Sequence, residues 1–271
     1  MAKIREIEAK RIITNSGIPG AKYVINPYLG CLHGCKYCYA DFMKRFTDHS
    51  EDWGDFLDIK INSPALCKEE AERKKPGVIM LSSVTDCYNP EEETSEITKK
   101  CLESLPKDKF PISILSKSSL PVRDLELFKE FEDIEVGFSF TSHRAQDRKI
   151  WEPEASGPEA KAKAMKKIHD GGVATYLFIS PILPGITDLE EIIKINEGNF
   201  DYIKAEVLNM TPKVKSKVTP VIKEHYPKLV DLYSGNLDEY WDQKYAEYRE
   251  LVKKYKLKPS GFHHHGKSMK E

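Results

Sequence analysis

Short apolar runs separated by longer helical patterns constrain this chain more than any other feature. Lys22–Asn26, Val78–Ser82, Ile112–Ser116, Ile134–Phe140, Ala174–Ser180 and Tyr202–Leu208 are β-branched or apolar over most of their length. Runs of that kind are expected of strands buried on both faces of a parallel sheet. Helical patterns fill the gaps. Thr94–Leu105 stops at Pro106, Val122–Phe131 follows Pro121, and Asp188–Asn196 opens on an Asp cap. Glu159–His169 sets Ala160, Ala164 and Ile168 on one face and ends at Gly171-Gly172, a C-cap signal. Six strand–helix units predict an α/β fold, a partial (β/α)6 TIM-type barrel. A doubly wound sheet competes, but no G-x-G-x-x-G follows the first strand.

The pattern changes after residue 210, which sets a boundary between a body at 1–210 and a C-terminal helical extension at 211–271. Pro212, Pro220 and Pro227 punctuate a connection rich in lysine, with Lys213, Lys215 and Lys217. A long helix is then expected, with Trp241, Tyr245, Tyr248, Val252 and Tyr255 at helical spacing, an aromatic stripe that reads as core packing. The extension is formally +5 and the body −6, within a total of −1. That balance argues against a protein that coats DNA through overall charge, while leaving room for a local basic patch. His263-His264-His265 reads as a tail. No run is long and apolar enough for a membrane helix and the N-terminus lacks a signal peptide's apolar stretch, so no membrane partner and a cytoplasmic location are expected.

Six cysteines occur, and three of them, Cys31, Cys35 and Cys38, share one short stretch after the first strand. Without a secretory signal, a metal site is a better reading of that group than a disulfide framework. Three thiolates spaced C-x₃-C-x₂-C can hold three corners of one [4Fe–4S] cluster, leaving the fourth iron open to a substrate or cofactor. Structural zinc, with His33 or a distant group as fourth ligand, is the plainer alternative, but no second ligand pair follows. Cys67, Cys87 and Cys101 show no ligand spacing, so a second cluster is not expected.

The cysteine loop resembles that of the radical S-adenosylmethionine (SAM) superfamily. Further blocks resemble its spore photoproduct lyase-like branch: Ser82–Glu91, Leu115–Ser118, Arg123-Asp124, Arg148–Pro153 and Ser180–Gly185. The resemblance implies a full or partial βα barrel. It also implies that the open iron binds SAM and that reductive cleavage yields a 5′-deoxyadenosyl radical, which takes hydrogen from the substrate. Lys117 then matches the partner of the methionyl carboxylate, Ser139 a cofactor-contacting serine, and Tyr37 the position that meets the adenine. Ser83, Thr85 and Asp86 end the second strand where hydroxyls and a carboxylate can receive the cofactor's ammonium, and Glu152 fits a ribose or positioning contact. One departure concerns the hydrogen donor. The lyase carries a cysteine where Ser83 stands here, which leaves Cys87 or Tyr88 as catalytic candidates and places photoproduct repair in doubt. The implied partners are a reductant such as flavodoxin or ferredoxin and a substrate that is a nucleic acid, a peptide or a small metabolite. The competing function is a nucleic-acid-binding module with a structural iron–sulfur or zinc site; a plain electron carrier would have no use for an open iron.

Overall fold

A computed structural model describes residues 2–264. Its strands are β1 (Lys3–Ile7), β2 (Ile13–Asn15), β3 (Tyr23–Ile25), β4 (Tyr28–Gly30), β5 (Phe56–Lys60), β6 (Ile79–Leu81), β7 (Ile112–Ser116), β8 (Ile134–Phe140), β9 (Ala174–Ile182), β10 (Tyr202–Val207) and β11 (Pro259–His263). The first half carries helices α1 (Ser63–Arg73), α2 (Glu92–Ser95), α3 (Ile97–Ser104), α4 (Leu125–Phe128) and α5 (Ala145–Trp151). Then follow α6 (Pro158–Asp170), α7 (Leu189–Ile195), α8 (Pro212–His225), α9 (Val230–Ser234) and α10 (Asp238–Lys254).

All six expected strands form, as β3 and β6 to β10. They lie in one eight-stranded sheet of order β2-β3-β6-β7-β8-β9-β10-β11, parallel throughout except for β2 against β3. The sheet is open. Among the described residues β2 and β11 are its edges and no pairing joins them, so no closed barrel forms. A second sheet, β1-β5-β4, was not legible in the sequence because its strands are short and β1 is largely solvent-facing.

Burial accounts for the long central strands. From Val136 to Phe140 every residue of β8 is buried, and Leu177, Ile179, Ile203 and Ala205 continue the core across β9 and β10. Gly137 is required here. Tyr176 pairs with it in register from β9, passes its ring over β8 and donates its hydroxyl to Ile114 O of β7 at 3.2 Å. A Cβ at residue 137 would lie 2.1 Å from that ring. Gly137→Ala is therefore expected to lower stability by about 1–3 kcal/mol or more, measured as a shift in urea midpoint. An unchanged midpoint would refute the contact.

Several expected helices differ in detail. Thr94–Leu105 is interrupted at Glu96, which takes a left-handed φ of 52° between α2 and α3. Val122–Phe131 resolves into a 3₁₀ turn, Leu120–Asp124, followed by the short α4. In α6 the buried stripe is Lys161, Ala164, Met165 and Ile168, so Lys161 replaces the exposed Ala160 on the inner face. Asp188 caps α7 by accepting from Glu191 N.

The largest correction is α8. The segment expected as a proline-punctuated connection is a 14-residue helix. Pro212 occupies its first turn, where its missing N–H costs nothing, and Thr211 accepts from Val214 N as the cap. Val214, Val218 and Ile222 form an i, i+4, i+8 stripe into the main core, and that burial outweighs Pro220 inside the helix. The aromatic stripe of α10 packs as expected, with Trp241 and Tyr248 buried and Tyr245, Val252 and Tyr255 against the same core. The extension is not purely helical, because β11 returns to pair with β10. His263 is therefore strand rather than tail, opposite Glu206, while His265 lies outside the described residues. No described helix is long and apolar enough to cross a membrane.

Candidate active site

Because β6 to β10 run parallel, their carboxyl ends share one edge of the sheet, where ligand sites of α/β proteins collect. The cysteine loop reaches that edge through β4. Gly30 leaves β4 at φ +94°, and a Cβ there would meet Phe56 O at 2.5 Å, so only glycine lets the chain turn against β5. Thr85 from the end of β6 donates to Gly30 O at 2.6 Å, and Lys36 N donates to Trp151 O at 2.9 Å, pinning the loop from both sides.

Cys31, Cys35 and Cys38 are free thiols, as are the other three cysteines. Burial pushes Cys31 up to about 12, with Asp86 and Cys38 adding to the rise. Burial also raises Cys35 and Cys38, and the neighbouring cysteines reinforce the rise at Cys35. Among the described residues no three His, Cys, Asp or Glu groups converge as a single metal ion requires. A cluster does not need that convergence, since each thiolate binds its own iron. His33, the candidate fourth zinc ligand, faces other groups: Nδ1 lies 3.2 Å from Glu154 O and Nε2 3.1 Å from Asp86 Oδ2, although Nε2 has no hydrogen-bond partner among the described residues. The donor set therefore fits a three-cysteine cluster better than mononuclear zinc.

A buried polar network lines the same edge. Lys117, after β7, donates to Ser139 Oγ at 2.7 Å and to Ser180 O at 3.0 Å, and pairs with Glu152 Oε1 at 2.9 Å. Glu152 also accepts from Tyr37 and, at 2.8 Å, from Thr141. Burial alone would raise the Glu152 carboxyl, but Lys117, Lys161 and the Tyr37 hydroxyl outweigh it and hold the group well below the ordinary carboxylate range. Lys117 is raised in return: burial disfavours its charge, and Glu152 and Cys35 more than restore it.

Asp86 is the second centre. It accepts from Ser116 Oγ and Lys117 N, both at 2.8 Å, and from Tyr88 N at 2.9 Å. Burial raises its carboxyl, but His33 and those N–H donors prevail and lower it. Ser83 is held by Asn26, which accepts from the backbone of both Ser83 and Val84. The sequence-predicted cofactor residues thus divide. Tyr37, Lys117, Ser139 and Glu152 form one connected group, Asp86 is tied to it through Lys117 N, and Ser83 and Thr85 hold the β6 exit against the cysteine loop.

Cys87 and Tyr88 are placed differently. Both are fully buried within the hydrophobic core, Thr98 donates to Cys87 O, and the Tyr88 hydroxyl donates to Asp124 at 3.0 Å. Arg123 grips that Asp124 and Glu92 together, so Tyr88 ends in a closed structural network.

Sequence reasoning missed Thr141, Ser180, Asn26 and Lys161. Thr141 was hidden because strand-end hydroxyls are common turn formers, and Ser180 because it acts through its backbone carbonyl, which carries no side-chain signal. Lys161 carried a signal: a lysine at the inward position of an otherwise apolar stripe. Its ammonium is buried, donates to Ser139 O at 2.7 Å and lies 3.8 Å from Glu152. Burial lowers it from the ordinary 10.5 to about 8, against the attraction of Glu152. Between those two values the unfolded chain binds a proton that the folded chain does not, so stability rises with pH there. Lys161→Met is expected to flatten that rise by up to about 1.4 kcal/mol per pH unit, read from urea unfolding between pH 8 and 10. An unchanged slope would show that Lys161 does not titrate in this window.

A cavity of about 850 Å³ opens beside the loop, bordered by Cys35, Lys36, Phe42, Trp53, Lys213 and Lys217, among others. Its size suits a small-molecule site.

An α/β sheet thus carries three free thiols of one loop at its carboxyl edge, beside a buried Lys–Glu pair. Residues 25–196 match the family model of the radical SAM superfamily, and the chain belongs to that superfamily. It is 37% identical over 233 residues to the uncharacterized protein MJ0683 of Methanocaldococcus jannaschii, covering 86% of this chain and 87% of that one. Its fold resembles a spore photoproduct lyase variant with a TM-score of 0.66 at 18% identity, over 96% of this chain and 81% of the other. A second lyase variant, solved with bound AdoMet and dinucleoside spore photoproduct, matches with a TM-score of 0.64 at 17% identity over the same shares.

Proposed function

We propose that this protein is a radical SAM enzyme whose Cys31, Cys35 and Cys38 hold one [4Fe–4S] cluster within a partial-barrel body. The observation that carries the reading is the three free thiols on one loop, set beside the buried Lys117–Glu152 group at the sheet's carboxyl edge. When bound, the cluster supplies one electron for reductive cleavage of SAM, giving methionine and a 5′-deoxyadenosyl radical that abstracts hydrogen from the substrate. The chain's own residues bind and orient. Lys117 presents a charged donor for a carboxylate, with Ser139 and the Ser180 carbonyl fixing its direction. Glu152 holds Lys117 and the Tyr37 ring in place and is suited to a positioning role. Asp86, Ser83 and Thr85 shape the β6 exit, where the cofactor's ammonium would be received. Cys87 and Tyr88 support that exit from the core. The electron comes from a carrier such as flavodoxin or ferredoxin, and the substrate is a nucleic acid, a peptide or a small metabolite.

The test is anaerobic reconstitution with iron and sulfide, followed by dithionite and SAM. The expected product is 5′-deoxyadenosine. Cluster-loaded protein that binds SAM without cleaving it would overturn the assignment.

A further inference from the structure

Helix α8, the first of the C-terminal extension, reaches back to the cysteine loop. Lys217 Nζ donates to Cys38 O at 2.8 Å across 179 positions of sequence, and the same ammonium pairs with Asp41. Lys213, one turn earlier on the same face, lies 3.1 Å from Asp41 Oδ1. Asp41 stands three residues beyond Cys38 in the first turn of a 3₁₀ helix, Ala40–Phe46, and its side chain is only 10% exposed. The neighbouring face of α8 is anchored by Val214 and Val218 in the core. The helix is thus a rigid base from which two lysines reach the loop. Both ammonium groups are engaged by Asp41, so these lysines are better explained by the loop they hold than by a free basic surface.

Resting on the cluster reading above, we propose that Lys217 and Asp41 are positioning residues for the third thiolate, Cys38, with Lys213 reinforcing Asp41. A cation on the Cys38 carbonyl fixes that peptide, and with it the backbone from which the Cys38 thiolate would hold a cluster. Groups one step beyond a metal's ligands orient those ligands, and losing one lowers metal affinity about 10–100-fold. Through this contact the C-terminal extension takes part in retaining the cluster, although it contributes no ligand.

The test compares the reconstituted wild type with Lys217→Met, Lys217→Arg and Asp41→Asn under anaerobic conditions. The readouts are the rate of iron loss to a chelator and the electron paramagnetic resonance spectrum of the dithionite-reduced cluster. Lys217→Met should lose iron about 10-fold faster with a shifted spectrum, while its far-ultraviolet circular dichroism stays that of the wild type. Lys217→Arg should restore the rate to near wild type, and Asp41→Asn should move both readouts in the same direction as Lys217→Met. A Lys217→Met protein with wild-type iron retention and spectrum would overturn the positioning role while leaving the cluster reading intact. A wild type that takes up no [4Fe–4S] complement would overturn both.

Discussion

Replacing Cys35 with alanine will abolish both the cluster and SAM cleavage. Cys35 is the middle thiol of the loop and borders the cavity, and its charge state responds to Glu152, Lys117, Cys38 and Cys31. No other cysteine stands ready to replace it. Cys67 and Cys101 are buried at zero exposure on α1 and α3, and Cys87 is equally buried in the core. Two remaining thiolates leave a second iron open, and losing a ligand outright must cost more than the about 10–100-fold set by an outer partner. Iron bound per chain and 5′-deoxyadenosine formed should both fall to background after identical anaerobic reconstitution. Cys67→Ala is the control, expected to leave both at wild-type levels. A Cys35→Ala protein that still cleaves SAM would overturn the assignment of the three-cysteine set.

The same contrast shows how far the sequence could be read. The cysteine loop was legible because its chemistry is local: three thiols within eight residues constrain one another whatever surrounds them. The six long strands were legible because burial on both faces writes an apolar run into the chain. What escaped depends on contacts between distant residues. Lys213 and Lys217 read as a solvated, proline-broken linker, since nothing local reveals that Asp41 and the Cys38 carbonyl lie opposite them. Glu152 had no firm chemical role in the sequence, and only the fold brings Tyr37, Lys117, Thr141 and Lys161 around it. The parallel strands β3 and β6 to β10 were likewise readable, whereas the edge strands β2 and β11 and the lack of closure were not, because an open sheet and a barrel share the same alternation of elements. The small β1-β5-β4 sheet follows that rule: its strands are too short to carry a period, yet it sets the direction in which the cysteine loop departs.

The second large effect is expected at Glu152, whose carboxylate is the only anion paired with Lys117 and Lys161 among the described residues. All three side chains are mostly or fully buried, so removing the anion leaves Lys117 with Ser139 Oγ and the Ser180 carbonyl, and Lys161 with the Ser139 carbonyl, as neutral acceptors. Breaking a buried pair in this way costs roughly 3–5 kcal/mol, because the surviving charge is stranded away from water. Glu152→Leu should therefore lower the urea midpoint strongly, and Glu152→Gln less, since an amide still accepts from Tyr37 and Thr141. Adding Lys161→Met to Glu152→Leu should recover part of the loss, as coupled neighbours do not add. The pH dependence carries the matching sign. A carboxyl held below its unfolded value stabilises the fold above about pH 4 and loses that contribution as pH falls through its folded value. Wild type should thus show a steeper acid decline in stability than Glu152→Leu, which keeps the share due to Asp86, measured by urea unfolding from pH 7 downward. If Glu152→Leu unfolds at the wild-type urea concentration, the carboxylate does not anchor the site, and Lys117 must be held by the serine and carbonyl contacts alone.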